Sequence, residues 1–301
     1  MATVTGAFTS TTDKFDRNVI ELIGGGFTSS VLYHLDYFMT GTIDVEQWKS
    51  AGFSGLGAMP ELGEGAPITM DQALQRGTAT KDVVDYALGF KVSHRFQRAD
   101  QWALVQGWAS ALGLSAAETL RTTGTNVLNR AFNSTYTIGF DSKELCATDH
   151  TTAGGTEQNE LTTAADLSNS SLNEALYTMK ETVDFRGLHA AMVPSLLVVS
   201  DQEEKNAWQI LNSMGQQGTA NNDANFYRGR LQLAVDPTLT DKDAWFLIDQ
   251  ARNPLQFLDR ESFNVSNYLE EATRSRVYTA WMSNLFVAKD WYGLFGSAGA
   301  A

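Results

Sequence analysis

One stretch restricts the possible folds of this chain more than any other. From residue 84 onward Val84, Tyr86, Leu88, Phe90, Val92, His94 and Phe96 alternate with Asp85, Ala87, Gly89, Lys91, Ser93, Arg95 and Gln97, the period-two pattern of a strand with two unlike faces. Fourteen such residues at about 3.3 Å each reach roughly 46 Å, longer than the usual strand of three to ten residues. A compact chain of 301 residues has a radius of gyration of only about 19 Å, so the strand is expected to project. The preceding 54–70 stretch is Gly-rich and thinly apolar. Pairing the two predicts a long hairpin with too little core of its own, which must rest on a neighbouring subunit.

Residues 98–133 predict one long helix, because Trp102, Val105, Ala109, Leu112, Ala116, Leu120, Val127 and Ala131 recur mostly at spacings of three, four or seven. Asp100 can help to start it. Gly107, Gly113 and Gly124 each weaken a helix interior by up to about 1 kcal/mol, so the apolar stripe must pack on a sheet. Ahead of these elements, a helix is expected around Asp13 to Ile23, followed by a break at Gly24-Gly25-Gly26 and an aromatic run through Tyr33, Tyr37 and Phe38. The triple glycine lacks the surrounding residues of a phosphate loop and reads as a flexible joint within an arm.

Residues 134–250 have α/β character. Helices are predicted at Leu172 to Val183, with Ser171 and Glu174 as a capping box, and at Glu203 to Met214 after Ser200 and Asp201. Strands are predicted at Leu196–Val199, Leu231–Val235 and Ala244–Ile248, with an exposed polar loop from Gly215 to Asn225. Residues 255–289 return to strand, alternating through Val277, Thr279, Trp281, Ser283, Leu285 and Val287. No internal repeat and no Pro-rich linker divides the chain, so its parts are expected to interlock.

Charge excludes one class of function. The net charge is −13, and 134–250 carries most of it, with seven basic against seventeen acidic residues. Wrapping nucleic acid requires clustered Lys and Arg, which this region lacks; its surplus reads as a solvated face. The start, Met-Ala-Thr-Val-Thr-Gly, has neither a basic segment nor an apolar run, and no window approaches eighteen apolar residues. Neither a signal peptide nor a membrane span is expected. Cys146 is the single cysteine, which rules out a disulfide within one chain.

The chemistry-bearing residues do not converge into a motif. His34, His94, His150 and His189 have no second His or Cys at metal-ligand spacing. Asp149-His150, near Ser142 and Cys146, lacks a nucleophile-elbow setting, and Glu144 and Asp149 would raise the Cys146 pKa. His94 is expected to pack on the apolar face of the long strand. Glu203-Glu204 and Glu270-Glu271 are adjacent pairs that do not share a helix face. No catalytic, cofactor-binding or metal-binding residue is assigned, and no enzymatic activity or cofactor is expected.

The order of parts, arm, hairpin, long helix, acidic α/β region and return strand, carries a resemblance together with a set of short runs. These are Asp149-His150-Thr151, Gly154-Gly155, Leu161, Leu172 to Met179, Gly187, Met192 to Val199, Ala207 to Ser213, Asn221 to Asn225, Gly229 to Thr240, Asp243 to Leu247 and Asn253-Pro254-Leu255. Over about 60–301 the chain resembles the major capsid proteins of tailed double-stranded DNA bacteriophages with the Hong Kong 97-type fold, in particular the Mu-like major head subunits.

The resemblance implies an α+β fold with an N-terminal arm (1–53) and an extended hairpin, or E-loop (54–97). It further implies a peripheral domain with a spine helix (98–135 and 251–301) and an axial domain (136–250). It implies a structural protein that self-assembles into pentamers and hexamers of an icosahedral head, in the virion after assembly in the bacterial host cytoplasm. The implied partners are copies of itself, a portal, scaffolding or decoration proteins, and enclosed double-stranded DNA held without sequence-specific binding; no membrane is implied. Some relatives join a Lys to an Asn covalently; Lys81 and Lys91 lie in the expected hairpin without a matching motif, so non-covalent stabilisation is expected. The alternatives are a cellular nanocompartment shell of the same fold, a tube-forming tail protein, and an α/β enzyme built on the Leu196 to Ile248 sheet.

Overall fold

The computed structural model describes residues 11–98, 102–138, 140–215 and 224–300. The first half contains α1 (Thr11–Thr28), a 3-10 turn (Tyr33–Asp36), β1 (Met39–Thr42), β2 (Gln47–Phe53), β3 (Gln75–Asp82), β4 (Val84–Ser93), α2 (His94–Arg98) and α3 (Trp102–Asn129). The second half contains β5 (His150–Thr152), β6 (Gly155–Glu157), α4 (Asn169–Glu181), β7 (Leu196–Val199), α5 (Glu204–Asn212), β8 (Gln232–Val235) and β9 (Trp245–Ile248). A second 3-10 turn (Gln250–Arg252), β10 (Leu255–Glu270), β11 (Ser275–Ala288) and β12 (Leu294–Ser297) complete it. The strands form sheets in the orders β1-β10-β11-β4 and β12-β9-β7-β8, plus the pairs β2-β3 and β5-β6. Contacts divide the chain into one unit of residues up to 32, 83–122 and 259–284, and another of 33–82, 123–258 and 285–301.

In the first unit, β4 runs antiparallel to β11, from Val84 opposite Asn284 to Ser93 opposite Ser275. The strand of residues 84–97 is therefore not an unpaired limb, and its partner is not 54–70. It is also shorter than the alternation predicts, because the Ser93 hydroxyl accepts from the Phe96 N–H at 3.3 Å and starts the helical turn of α2. His94 consequently leaves the strand and is exposed rather than packed on an apolar face. Val92 is buried and Tyr86 and Phe90 are half-buried, whereas Val84 and Leu88 on the same face stay exposed. On β11 the inward residues are Tyr278, Ala280 and Met282; the expected face, Val277, Thr279 and Trp281, is only half-buried.

The core of this unit joins Val19 and Ile23 of α1, Val105, Ala109 and Leu112 of α3, Val92 of β4, and Tyr278 and Ala280 of β11. The triple glycine is not a joint: α1 continues through it to Thr28. Close approach of two backbones explains this. A Cβ on Gly26 would lie 2.6 Å from the Ser110 carbonyl oxygen, and one on Gly113 would lie 2.2 Å from the Ile23 carbonyl oxygen, so glycine admits a helix contact that any side chain would block. The end of α1 is tied by the hydroxyls of Thr28, which reaches the Gly24 oxygen at 3.0 Å, and Ser30, which reaches the Gly26 oxygen at 3.0 Å. Asp16 fastens the same helix to β11, accepting from the Tyr278 hydroxyl at 2.6 Å and pairing with Arg276 at 2.5 Å.

The expected 98–133 helix is observed as α3, and Asp100 lies outside the described residues. In the second unit the β12-β9-β7-β8 sheet is the core, with every residue of β7 and β9 buried. β7 is parallel to β8 across the α5 connection and antiparallel to β9. The expected helices and strands of 172–248 are all present, three of their starts one residue later than expected and that of α4 three residues earlier; the expected loop of 215–225 lies outside the described residues over 216–223. α4 begins three residues earlier, because Ser168 accepts from the Ser171 N–H while the Ser171 hydroxyl accepts from the Ser168 N–H. A second Ser at N3 does the work expected of Glu174. The aromatic run expected in the arm is core here: Tyr37 and Phe38 are buried, and the Tyr37 hydroxyl donates to Asp236 at 2.6 Å.

Candidate functional site

The feature that stands out as functional is the β2–β3 hairpin, with the 54–74 loop between its strands. β2 pairs with β3 from Gln47 opposite Asp82 to Gly52 opposite Gly77, and then the register shifts so that Phe53 faces Gln75. Arg76 is the extra residue of this bulge, and bulges re-aim a side chain. Gly52 and Gly77 make room for Phe140 beside it. A Cβ on Gly52 would lie 2.8 Å from the Phe140 ring, and Gly77, at φ +138°, brings its backbone against the Phe140 carbonyl. The Arg76 guanidinium grips Asp290 with two prongs at 2.7 and 3.4 Å and lies 5.0 to 5.6 Å from the ring centres of Tyr292, Phe140 and Phe185. Its side chain is only 8% exposed. A bidentate, largely desolvated pair of this kind fixes geometry strongly.

Beyond this root, Ser54 and Leu74 close the loop, with the Ser54 N–H on the Leu74 carbonyl at 2.7 Å and the Leu74 N–H on the Ser54 hydroxyl at 2.8 Å. Further out, the Asp71 carboxylate accepts from the Gly57 N–H and the Gln72 N–H, each at 2.8 Å, and pairs with Arg186. These contacts, the Gly57 N–H foremost and the guanidinium next, hold the Asp71 carboxyl below its ordinary pKa. Between the anchors the loop turns its apolar side chains to solvent. Met59 is 97% exposed, Met70 89% and Ile68 77%, and Phe53, Leu56, Leu62 and Leu74 are also exposed. Such a concentration within one segment marks an interaction surface.

The histidines and the cysteine lie elsewhere in the fold. His150 is fully buried, stacked on Trp291 at 4.4 Å, with Nδ1 2.6 Å from Asp141 and Nε2 3.0 Å from the Asn159 side-chain oxygen. Both ring nitrogens are occupied, so none is left to serve a nucleophile. Its acid partner is Asp141 rather than the adjacent Asp149, which pairs with Lys143. Burial acts to raise the Asp141 carboxyl, but the His150 hydrogen bond and charge outweigh it and the pKa falls below the usual value. Cys146 is buried, and its thiol is pushed well up first by burial and then by Glu160 and Glu144. Asp149 plays no part in that shift, contrary to the expectation from sequence.

Ser142 occupies a turn at φ +61°, His189 is exposed opposite Val183, and His34 is buried among aromatic rings. Glu203 accepts from Asn206, and Glu270 pairs with Lys91. Lys91 lies in β4 rather than in the hairpin, and Lys81 donates to the Thr137 carbonyl at 3.3 Å. Among the described residues no group of acids, His and Cys is arranged to hold a metal, and no helix is long and apolar enough to cross a membrane. The anchoring arginines escaped the sequence reading because their partners lie far along the chain; the unusual signal was Gln75-Arg76-Gly77, a charged residue beside a glycine within a strand.

A family model described as phage capsid protein matches residues 77–295. No curated protein matches the sequence. Among solved structures, the chain is similar to one from Mycobacterium phage Adephagia, at 10% identity over 90% of this chain and 91% of that one, with a TM-score of 0.59. It is similar to the capsid of an empty GTA particle, at 13% identity over 90% and 91%, with a TM-score of 0.58. It is also similar to the virus-like particle from Pyrococcus furiosus, at 10% identity over 94% and 99%, with a TM-score of 0.54. At these identities the likeness is one of fold.

Proposed function

Because the chain belongs to the phage capsid protein family, we propose that the β2–β3 hairpin is the limb by which its copies hold one another in the wall of a phage head. The protein is a structural major capsid protein with the α+β, Hong Kong 97-type fold, and it belongs in the virion capsid. Family membership favours this over a cellular nanocompartment shell or an α/β enzyme.

The subunit forms pentamers and hexamers of an icosahedral shell, of the Mu-like kind, assembled in the host cytoplasm and joined to a portal, with scaffolding or decoration proteins as further partners. It catalyses no reaction. The E-loop role expected for 54–97 falls to its first part within 47–82, since β4 is committed to its own sheet. The arm role expected for 1–53 narrows to the residues before 47, because 47–53 is the first strand of the hairpin; the peripheral role is kept for 98–135 and 251–301, and the axial role for 136–250. Lys81 and Lys91 are engaged within the subunit, which supports non-covalent contacts between copies. The acidic 134–250 region would repel packaged DNA, which confinement rather than adhesion retains.

The observation that carries this reading is the exposed apolar loop on a rigid root. Each large apolar side chain is worth about 1.5–3 kcal/mol when fully buried, and the loop offers several that are mostly exposed, Met59, Ile68 and Met70 foremost. Negative-stain microscopy of the full chain tests it: wild type is expected to form rings or closed shells. The double variant Ile68→Asp/Met70→Asp is expected to keep its circular dichroism and melting temperature yet remain a small species. Shells of wild-type yield from that variant, or a wild type that never leaves the single-subunit state, would contradict the reading.

A further inference from the structure

We infer that Asp71 and Arg186 form a releasable latch that holds the apolar loop on its own subunit until a second copy takes it up, with Arg76 and Asp290 as the hinge that stays closed. This rests on the hairpin being the assembly limb, and it concerns how that limb is regulated.

The two Arg–Asp pairs that tie the hairpin down are built differently. Arg76 is 8% exposed, two-pronged on Asp290 and surrounded by three aromatic rings, so salt screens it little. The Asp71 side chain is 39% exposed and its Arg186 partner faces solvent in part, so their attraction is modest and falls with ionic strength. Position gives this weak pair its leverage. Asp71 binds Gly57 on the entering limb of the loop and Gln72 on the leaving limb, so it clasps the two ends of the segment that bears Met59, Leu62, Ile68 and Met70. The Arg186 guanidinium adds a bond to the Gln72 carbonyl at 3.4 Å.

Arg186 itself is presented by a tight turn. The Asp184 carboxylate accepts from the Arg186 and Leu188 N–H groups at 2.8 and 2.9 Å, and Gly187 supplies a φ of +83°. A long loop without regular structure, fixed at its root and clasped at one weak outer point, can change position without disturbing the fold.

Hydrogen exchange of the Gly57 and Gln72 amides in the unassembled full chain at low ionic strength tests the latch, alongside light scattering of assembly. Arg186→Gln should speed exchange of both amides by roughly two- to five-fold, the range open to an exposed ion pair, and Arg186→Lys should retain most of the protection. Raising salt from about 0.05 to 0.5 M should speed exchange in wild type and leave Arg186→Gln nearly unchanged. Assembly of Arg186→Gln at low salt should begin sooner by a similar factor. Unaltered amide exchange in Arg186→Gln overturns the latch; faster exchange with equal or slower assembly overturns its regulatory role. A failure of every protein, wild type included, to form shells counts against the proposed function instead, because amide exchange reads the latch on the free subunit.

Discussion

His34 is 1% exposed, ringed by Phe38, Phe257 and Phe286, and neither of its ring nitrogens has a hydrogen-bond partner among the described residues. Burial lowers its pKa to about 4, against the opposing pull of Asp236. Because the folded value lies below the ordinary 6.5, the unfolded chain takes up this proton first as pH falls. The stability tied to a neutral His34 is therefore complete above about pH 6.5 and lost between 6.5 and 4, to a total of about 3 kcal/mol. Urea unfolding of wild type and His34→Phe should diverge by that amount between pH 7 and 4, with the variant favoured in acid; a pH-independent difference would exclude a neutral buried imidazole. At this scale the sequence is a poor guide. Asp149-His150 is adjacent in the chain, yet the imidazole binds Asp141, because a turn through Ser142 decides which carboxylate arrives. The upward direction of the Cys146 pKa was legible, although burial rather than neighbouring acids is its leading cause.

Among the elements, glycines have opposite effects according to what they face. Apart from its own stretch of helix, a Cβ on Gly107 in α3 would meet nothing among the described residues within 4 Å, whereas a Cβ on Gly113 would meet the Ile23 carbonyl at 2.2 Å. Gly107→Ala should stabilise by about 0.5–1 kcal/mol through helix propensity. Gly113→Ala should destabilise by about 1–3 kcal/mol, since overpacking outweighs the same gain. Thermal or denaturant midpoints of the two variants read the sign directly. The short strands and helices of 172–248 were legible because local periodicity and caps agree with tertiary burial there. The triple glycine was not, because its helix is rescued by a contact with Ser110, far along the chain. The long alternation at 84–97 correctly announced a strand and misplaced its partner, since pattern gives a face and not a neighbour. β11 supplies that neighbour from residues 275–284. A projecting hairpin was expected over 54–97, but its strands are 47–53 and 75–82, with 54–74 as the loop between them, because the stronger alternation beyond Val84 drew the pairing away from them.

For the whole molecule, resemblance gave the family where no single motif could, and the physical claim beneath it is that apolar surface left open on one chain is closed by another. Association must overcome lost rotational and translational freedom, which one hairpin offsets only in part; a ring or shell repeats the contact around its circumference and so makes weak pairs collectively stable. Met59 and Met70 report on this contact directly, because thioether oxidation follows solvent access and both are almost fully exposed in the subunit. Limited peroxide treatment of free subunits and of purified assembled particles, read by mass spectrometry at these two residues, should find rapid oxidation in the former and strong protection in the latter. Equal oxidation of Met59 and Met70 in both states would contradict the hairpin's burial between copies.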